Sequence, residues 1–134
     1  MSGRIAFVAL FTLCVSTVVH AQPSASLSDP TTIQKGKAVY TNWCTPCHGS
    51  NSAGRGRFGG SGFPGTDALA AKYKGRNPAV PAVLDQRADL TPAAIKLFVR
   101  QGVTVMPFFR KTEISDSDLD AMVAYLMSVR PGSR

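Results

Sequence analysis

Apolar and small residues recur at three- and four-residue intervals near the start of the patterned part of the chain, which is the spacing of one face of an α-helix. This segment opens with Asp29-Pro30, an N-capping residue followed by a proline at the first helical position. The recurring positions are Ile33, Gly36, Val39, Tyr40 and Trp43. We predict a first helix that ends near Cys47.

Two more helices are predicted near the C-terminus. Thr91 caps the earlier one, Pro92 is its first residue and Gly102 ends it, with an apolar face of Ile95, Phe98 and Val99. Ser115 caps the later one, which continues to about Val129. Its apolar stripe is Leu119, Met122, Val123 and Leu126.

The middle of the chain predicts loops and one short helix. Seven glycines fall within the 17 residues from Gly49 to Gly65, which indicates an irregular loop. Thr66 or Asp67 can cap a short helix that runs through Tyr73. No run alternates apolar and polar residues over the length of a strand, so we predict an all-α fold of about four helices.

The N-terminus has the pattern of a secretory signal peptide. Arg4 precedes the apolar run Ile5 to Val19, and Ala21 supplies a small residue for cleavage. A membrane anchor is the alternative, but the run is shorter than the roughly 20 apolar residues that span a bilayer. We therefore expect cleavage of residues 1–21, a flexible leader over residues 22–28, and a single domain over residues 29–134 in a periplasmic protein without stable membrane insertion.

The charge balance indicates what the exported chain would bind. Loss of Arg4 leaves 14 basic against 8 acidic residues, a net charge of +6. This charge favours acidic protein partners. The basic residues are dispersed along the chain instead of clustered among aromatic residues, so nucleic acid is not an expected partner.

The segment Cys44-Thr45-Pro46-Cys47-His48 has the spacing at which c-type haem is attached. Two thiols three residues apart can each bond one vinyl group of a single porphyrin, which leaves the histidine below the iron. A zinc site would need a fourth ligand, and Cys14 and His20 lie in the signal peptide. A redox dithiol would need a βαβ context, and a disulfide gives the histidine no role. We predict one covalent haem c, with His48 as an iron ligand.

The second axial ligand is predicted to be Met106. Met122 and Met127 belong to the closing helix, where packing explains them. Met106 follows the helix stop at Gly102 and precedes Pro107, which restricts its backbone to extended conformations. We expect the free ring nitrogen of His48 to donate to a backbone carbonyl, for which Pro64 is the candidate.

Together, Cys44-x-x-Cys47-His48, Gly36-x-x-x-Tyr40, Met106-Pro107 and Tyr125-Leu126 resemble class I cytochromes c. The resemblance implies that the first and last helices cross closely, with Gly36 at the crossing and Tyr125 beside it. A narrower resemblance, to the cytochrome subunits of flavoprotein 4-alkylphenol dehydrogenases of the 4-cresol type, rests on three segments. These are Asp89-Leu90-Thr91-Pro92, Val99-Arg100-Gln101-Gly102 and Met106-Pro107-Phe108-Phe109.

These features predict a single-electron carrier with no catalytic residues of its own. It would accept electrons from a periplasmic dehydrogenase, as the narrower resemblance implies, and pass them to a downstream acceptor. Thioether ligation at Met106 would saturate the iron and favour its ferrous state. The alternatives are a haem enzyme or gas sensor with an open sixth position, and a largely structural subunit of a larger dehydrogenase.

Overall fold

The computed structural model describes residues 28–50 and 60–133, and it confirms the all-α fold. Among these residues β-pairing is limited to an isolated bridge between Val103 and Met106. The elements in order are α1 (Pro30–Trp43), α2 (Thr45–His48), α3 (Pro64–Lys72), a 3-10 turn (Leu84–Gln86), α4 (Pro92–Gln101) and α5 (Asp116–Val129).

Three helices begin where the capping residues predict. The Asp29 carboxylate accepts a hydrogen bond from the Thr32 amide, with an N–O distance of 2.9 Å. The Thr91 hydroxyl caps α4 and the Ser115 hydroxyl caps α5 in the same way. Each side chain accepts a bond from an amide that no turn of the helix itself can satisfy. Gly102 ends α4 with a φ of 71°, a conformation that favours glycine.

Two predicted boundaries are wrong. The first helix ends at Trp43, and the chain turns at Cys44 before the separate one-turn helix α2. Helix α3 begins at Pro64, so Thr66 lies inside it and caps nothing. Asp67 does not cap α3 either, because its carboxylate accepts a bond from the Ser61 amide in the preceding loop.

Helices α1 and α5 cross at close range and carry most of the core. At Gly36 a Cβ would overlap the backbone carbonyl of Ala121 and lie 2.9 Å from the Cβ of Tyr125. One turn later the Tyr40 and Tyr125 rings pack with centroids 5.5 Å apart. The crossing implied by the resemblance is therefore confirmed. The buried core is Tyr40, Leu90, Ile95, Val99, Ile114, Leu119, Met122, Val123 and Leu126.

The predicted signal peptide and leader, residues 1–21 and 22–28, lie outside the described residues except for Ser28. Within the described ranges, no helix combines the length and apolar character that crossing a membrane requires.

The Gly36→Ala substitution tests the crossing. Helix propensity alone predicts a gain of about 1 kcal/mol in the free energy of unfolding. The contact with Ala121 predicts a loss of about 1–3 kcal/mol, because the new methyl group must push the two helices apart. Chemical denaturation measures the sign. Thr41→Ala, at an exposed position of the same helix, is the control, and a stabilised Gly36→Ala protein would contradict the packing.

Candidate haem site

The Cys44 to His48 segment folds into one compact turn. The carbonyl oxygen of Cys44 accepts bonds from the Cys47 amide at 3.0 Å and from the His48 amide at 2.7 Å. The two cysteines therefore sit on successive parts of a single turn, and neither forms a disulfide within the described residues. This arrangement leaves two neighbouring thiols that can both bond to one haem.

The two thiols face different surroundings. Cys44 is partly buried, with its Sγ 3.4 Å from the Sδ of Met122, a fully buried core residue of α5. Burial, with a smaller contribution from the nearby Cys47, raises the pKa of the Cys44 thiol to about 12. Cys47 is exposed. Met122 is thus a packing residue, as its place on the apolar stripe indicates.

The imidazole of His48 is suited to bind a metal. Burial lowers its pKa, which favours the neutral ring that ligation requires. Its Nδ1 atom is buried and has no hydrogen-bond partner among the described residues. The predicted bond to the Pro64 carbonyl is therefore not formed. The ring instead lies against Gly65, where a Cβ would be 2.8 Å from Nδ1 and 2.6 Å from Cε1.

Two hydroxyl groups hold the backbone around His48. The buried Thr66 hydroxyl donates to the carbonyl of Gly49 at 2.8 Å, which ties α3 to the end of the motif. The Tyr40 hydroxyl donates to the His48 carbonyl at 3.4 Å. Burial and the charge of Asp85 raise the Tyr40 pKa above its usual range, so the phenol stays protonated as the donor. The sequence predicts Thr66 only as a helix cap and gives Gly65 no role, because the residues that they contact here lie 17 positions away in the chain.

Met106 lies in a hairpin that is pinned to the end of α4. Val103 and Met106 exchange two backbone hydrogen bonds, of 3.1 and 2.9 Å. At Gly102 a Cβ would lie 2.7 Å from the Met106 carbonyl, so only glycine lets the hairpin fold back this tightly. The Met106 side chain is partly buried and packs against the core. The sequence predicts an extended backbone at Met106, and in the structure this backbone forms one arm of the hairpin.

An aromatic contact joins the hairpin to the motif. Phe109 packs edge-on against Trp43, with ring centroids 5.8 Å apart, and Trp43 directly precedes Cys44. Apolar side chains are nevertheless exposed on both segments. They are Trp43 beside the motif and Val103, Val105 and Phe108 on the hairpin, and Phe98 in the last turn of α4 is exposed as well.

The donor set and its surroundings fit a haem. Covalent attachment of haem uses two free thiols, and the site has two. Ligation of the iron uses a neutral histidine and a methionine, and the site has a histidine whose buried Nδ1 lacks a hydrogen-bond partner among the described residues and a methionine on a pinned hairpin. Exposed apolar side chains near the motif offer a surface of the kind that binds an apolar ligand or a partner. When bound, haem supplies an iron that changes between ferrous and ferric by one electron. Cys44 and Cys47 would attach it, and His48 and Met106 would ligate it.

Comparison with protein families also supports haem binding. The model of the family described as cytochrome C oxidase, cbb3-type, subunit III matches residues 31–126, which is more than half of the chain. The chain belongs to this cytochrome family. No curated protein matches the chain.

Membership makes the chain a class I c-type cytochrome domain and gives it haem-based electron transfer. The matched range includes the motif, the Met106 hairpin and most of α5. The family implies haem c as the cofactor and a secreted or periplasmic location.

The Gly65→Ala substitution tests how His48 is seated. The added methyl group would lie within 3 Å of the imidazole and of the Cys47 carbonyl, so the ring must move. We expect the visible spectrum of the iron to change and the free energy of unfolding to fall by about 1–3 kcal/mol. Ala68→Ser, at an exposed position of the same helix, should change neither. An unaltered spectrum would show that the His48 ring does not lie against Gly65.

Proposed function

We propose that this protein is a mono-haem electron carrier in which Cys44 and Cys47 hold the haem covalently and His48 and Met106 ligate its iron. The observation that carries the proposal is the pinned hairpin around Met106. Its exit at Phe109 packs on Trp43, the residue that leads into the motif. A methionine held in this way beside the haem-binding turn supports permanent ligation.

A saturated iron favours electron transfer over catalysis. If His48 and Met106 both ligate the iron, it would have no open position for peroxide, oxygen or nitric oxide. The described residues also contain no other cluster of histidine, cysteine, aspartate or glutamate that could hold a metal. A haem enzyme or gas sensor would require Met106 to leave the iron.

The surface around Met106 supports docking to another protein. Val105 is 83% exposed and Phe108 is 60% exposed, on either side of the proposed ligand. Arg110 and Lys111 follow directly, and both side chains are largely exposed. Arg110 pairs with Glu113 and Lys111 pairs with Asp116, so an acidic partner that bound beside this apolar tip would compete with those carboxylates for the two exposed cations.

A flavoprotein dehydrogenase is the proposed electron donor. The support is the resemblance of three segments, 89–92, 99–102 and 106–109, to cytochrome subunits of 4-alkylphenol dehydrogenases. Two of these segments frame the Met106 hairpin, since one ends at Gly102 and the other begins at Met106. The likeness therefore falls on the proposed ligand and on the surface through which electrons would enter.

Met106→Ala tests the ligation. The oxidised parent protein should show the far-red absorption band of sulfur bound to ferric iron, and the variant should lose it completely. The ferrous variant should then bind carbon monoxide, because one axial position is open. Met127→Leu, which alters another partly buried methionine without changing its volume much, should keep the band. A parent protein that lacks the band and binds carbon monoxide would favour the enzyme or sensor alternative.

Stopped-flow reduction tests the donor. A catalytic amount of a flavoprotein 4-alkylphenol dehydrogenase, given limiting alkylphenol, should reduce about two equivalents of the ferric cytochrome per substrate, because a flavin takes two electrons and a haem takes one. The rate should fall as salt screens the charges. Arg110→Gln should slow it more than Lys37→Gln on α1 does. If dithionite reduces the haem and the dehydrogenase does not, this donor is wrong.

A further inference from the structure

Arg100 occupies an unusual position on the last turn of α4. Its side chain is only 22% exposed, and its guanidinium bonds two different elements. Nη1 donates to the backbone carbonyl of Phe109 at 3.0 Å, and Nη2 donates to the carboxylate of Asp116 at 2.9 Å. Phe109 lies at the exit of the Met106 hairpin, and Asp116 is the first residue of α5. One side chain thus joins α4, the hairpin and α5.

The bond to Phe109 completes a backbone anchor. The amide of Phe109 donates to the carbonyl of Val99 at 2.8 Å, so both polar groups of this residue are bonded to neighbouring residues of α4. At the other end of the hairpin, the Gly102 amide donates to the Phe98 carbonyl at 2.8 Å. Both ends of segment 102–109 are therefore fixed to the last turn of α4.

The anchor at the exit depends on the charge of the guanidinium. A bond from a cation to a neutral carbonyl is stronger than a bond between two neutral groups. Asp116 holds the guanidinium in place, and Lys111 also pairs with Asp116 at 2.7 Å. The bonds to Lys111 and Arg100 lower the pKa of Asp116, so its carboxylate stays charged at neutral pH. A lysine at position 100 would have one nitrogen in place of the fork that reaches two acceptors.

We propose that Arg100 is the positioning residue that keeps Met106 on the haem iron. It does so by locking the exit of the hairpin, three residues after the ligand, against α4 and α5. The inference rests on the proposed function, since it concerns the same ligand. It predicts that Arg100 controls how often Met106 leaves the iron, separately from how stable the whole fold is.

Arg100→Gln tests the proposal on the haem-loaded protein. We expect the affinity of the ferrous variant for carbon monoxide to be about tenfold higher than that of the parent, which corresponds to about 1.4 kcal/mol of lost ligation. The far-red band of the ferric variant should fade on warming at temperatures where circular dichroism still shows native helix. Arg100→Lys should lie between the parent and Arg100→Gln.

Lys96→Gln is the matched control. Lys96 is also on α4 and pairs with Asp120 of α5 at 2.5 Å, so its loss weakens the same helix pair without touching the hairpin. Carbon monoxide binding and the far-red band should match the parent. If Lys96→Gln opens the iron as much as Arg100→Gln does, general loosening of the helices explains the effect and the inference fails.

Two further outcomes separate the inference from the proposed function. If the parent protein lacks the far-red band, Met106 is not the ligand and the proposed function fails before any variant is compared. If the parent has the band and both Arg100 variants bind carbon monoxide with the same affinity as the parent, only the role of Arg100 is overturned. If Arg100→Gln does not fold, Arg100→Lys decides between these results, because its smaller change keeps the positive charge.

Discussion

At Gly36 the backbone of α1 lies so close to the Ala121 carbonyl of α5 that no side chain fits between the two helices. This approach determines where the haem-binding turn lies, because α1 leads into it within eight residues of the crossing. Met122, the residue directly after Ala121, contacts the Cys44 sulfur at 3.4 Å. The turn is therefore seated on the most buried helix of the protein, and its geometry follows from how closely the helices cross.

The second half of the site is built differently. Met106 does not lie on a helix, and its position depends on a hairpin whose two ends are bonded to α4. The contacts that hold it are a glycine at a positive φ, one guanidinium and one aromatic pair. Both residues are partly buried, but His48 lies against Gly65 of α3, whereas Met106 lies on a hairpin that a small number of contacts hold. The position of Met106 therefore depends on those few contacts.

Helix caps and the haem motif could be predicted from the sequence because each depends on neighbouring residues. Asp29, Thr91 and Ser115 cap amides three residues away, so local pattern is sufficient. The break at Cys44 was missed because the apolar spacing continues through it. The contacts that Gly65, Thr66 and Arg100 make at the site could not be predicted, because each involves a partner outside the local pattern, such as the Gly49 carbonyl for Thr66. A pattern of residues carries no signal for such pairs until the fold brings them together.

Several apolar residues near the site are exposed because they lie outside the buried core. A small domain buries a modest share of its surface, and here the buried core consists mainly of α1, α4 and α5. The apolar residues of the hairpin contribute little to that core, since Val105 and Phe108 remain largely exposed. Exposed residues of this kind cost the fold stability unless something covers them. Under the proposed function, the haem would cover part of this surface, and a docking partner would cover the remainder. The proposed function therefore gives the exposed apolar residues near the motif two uses, in haem binding and in docking.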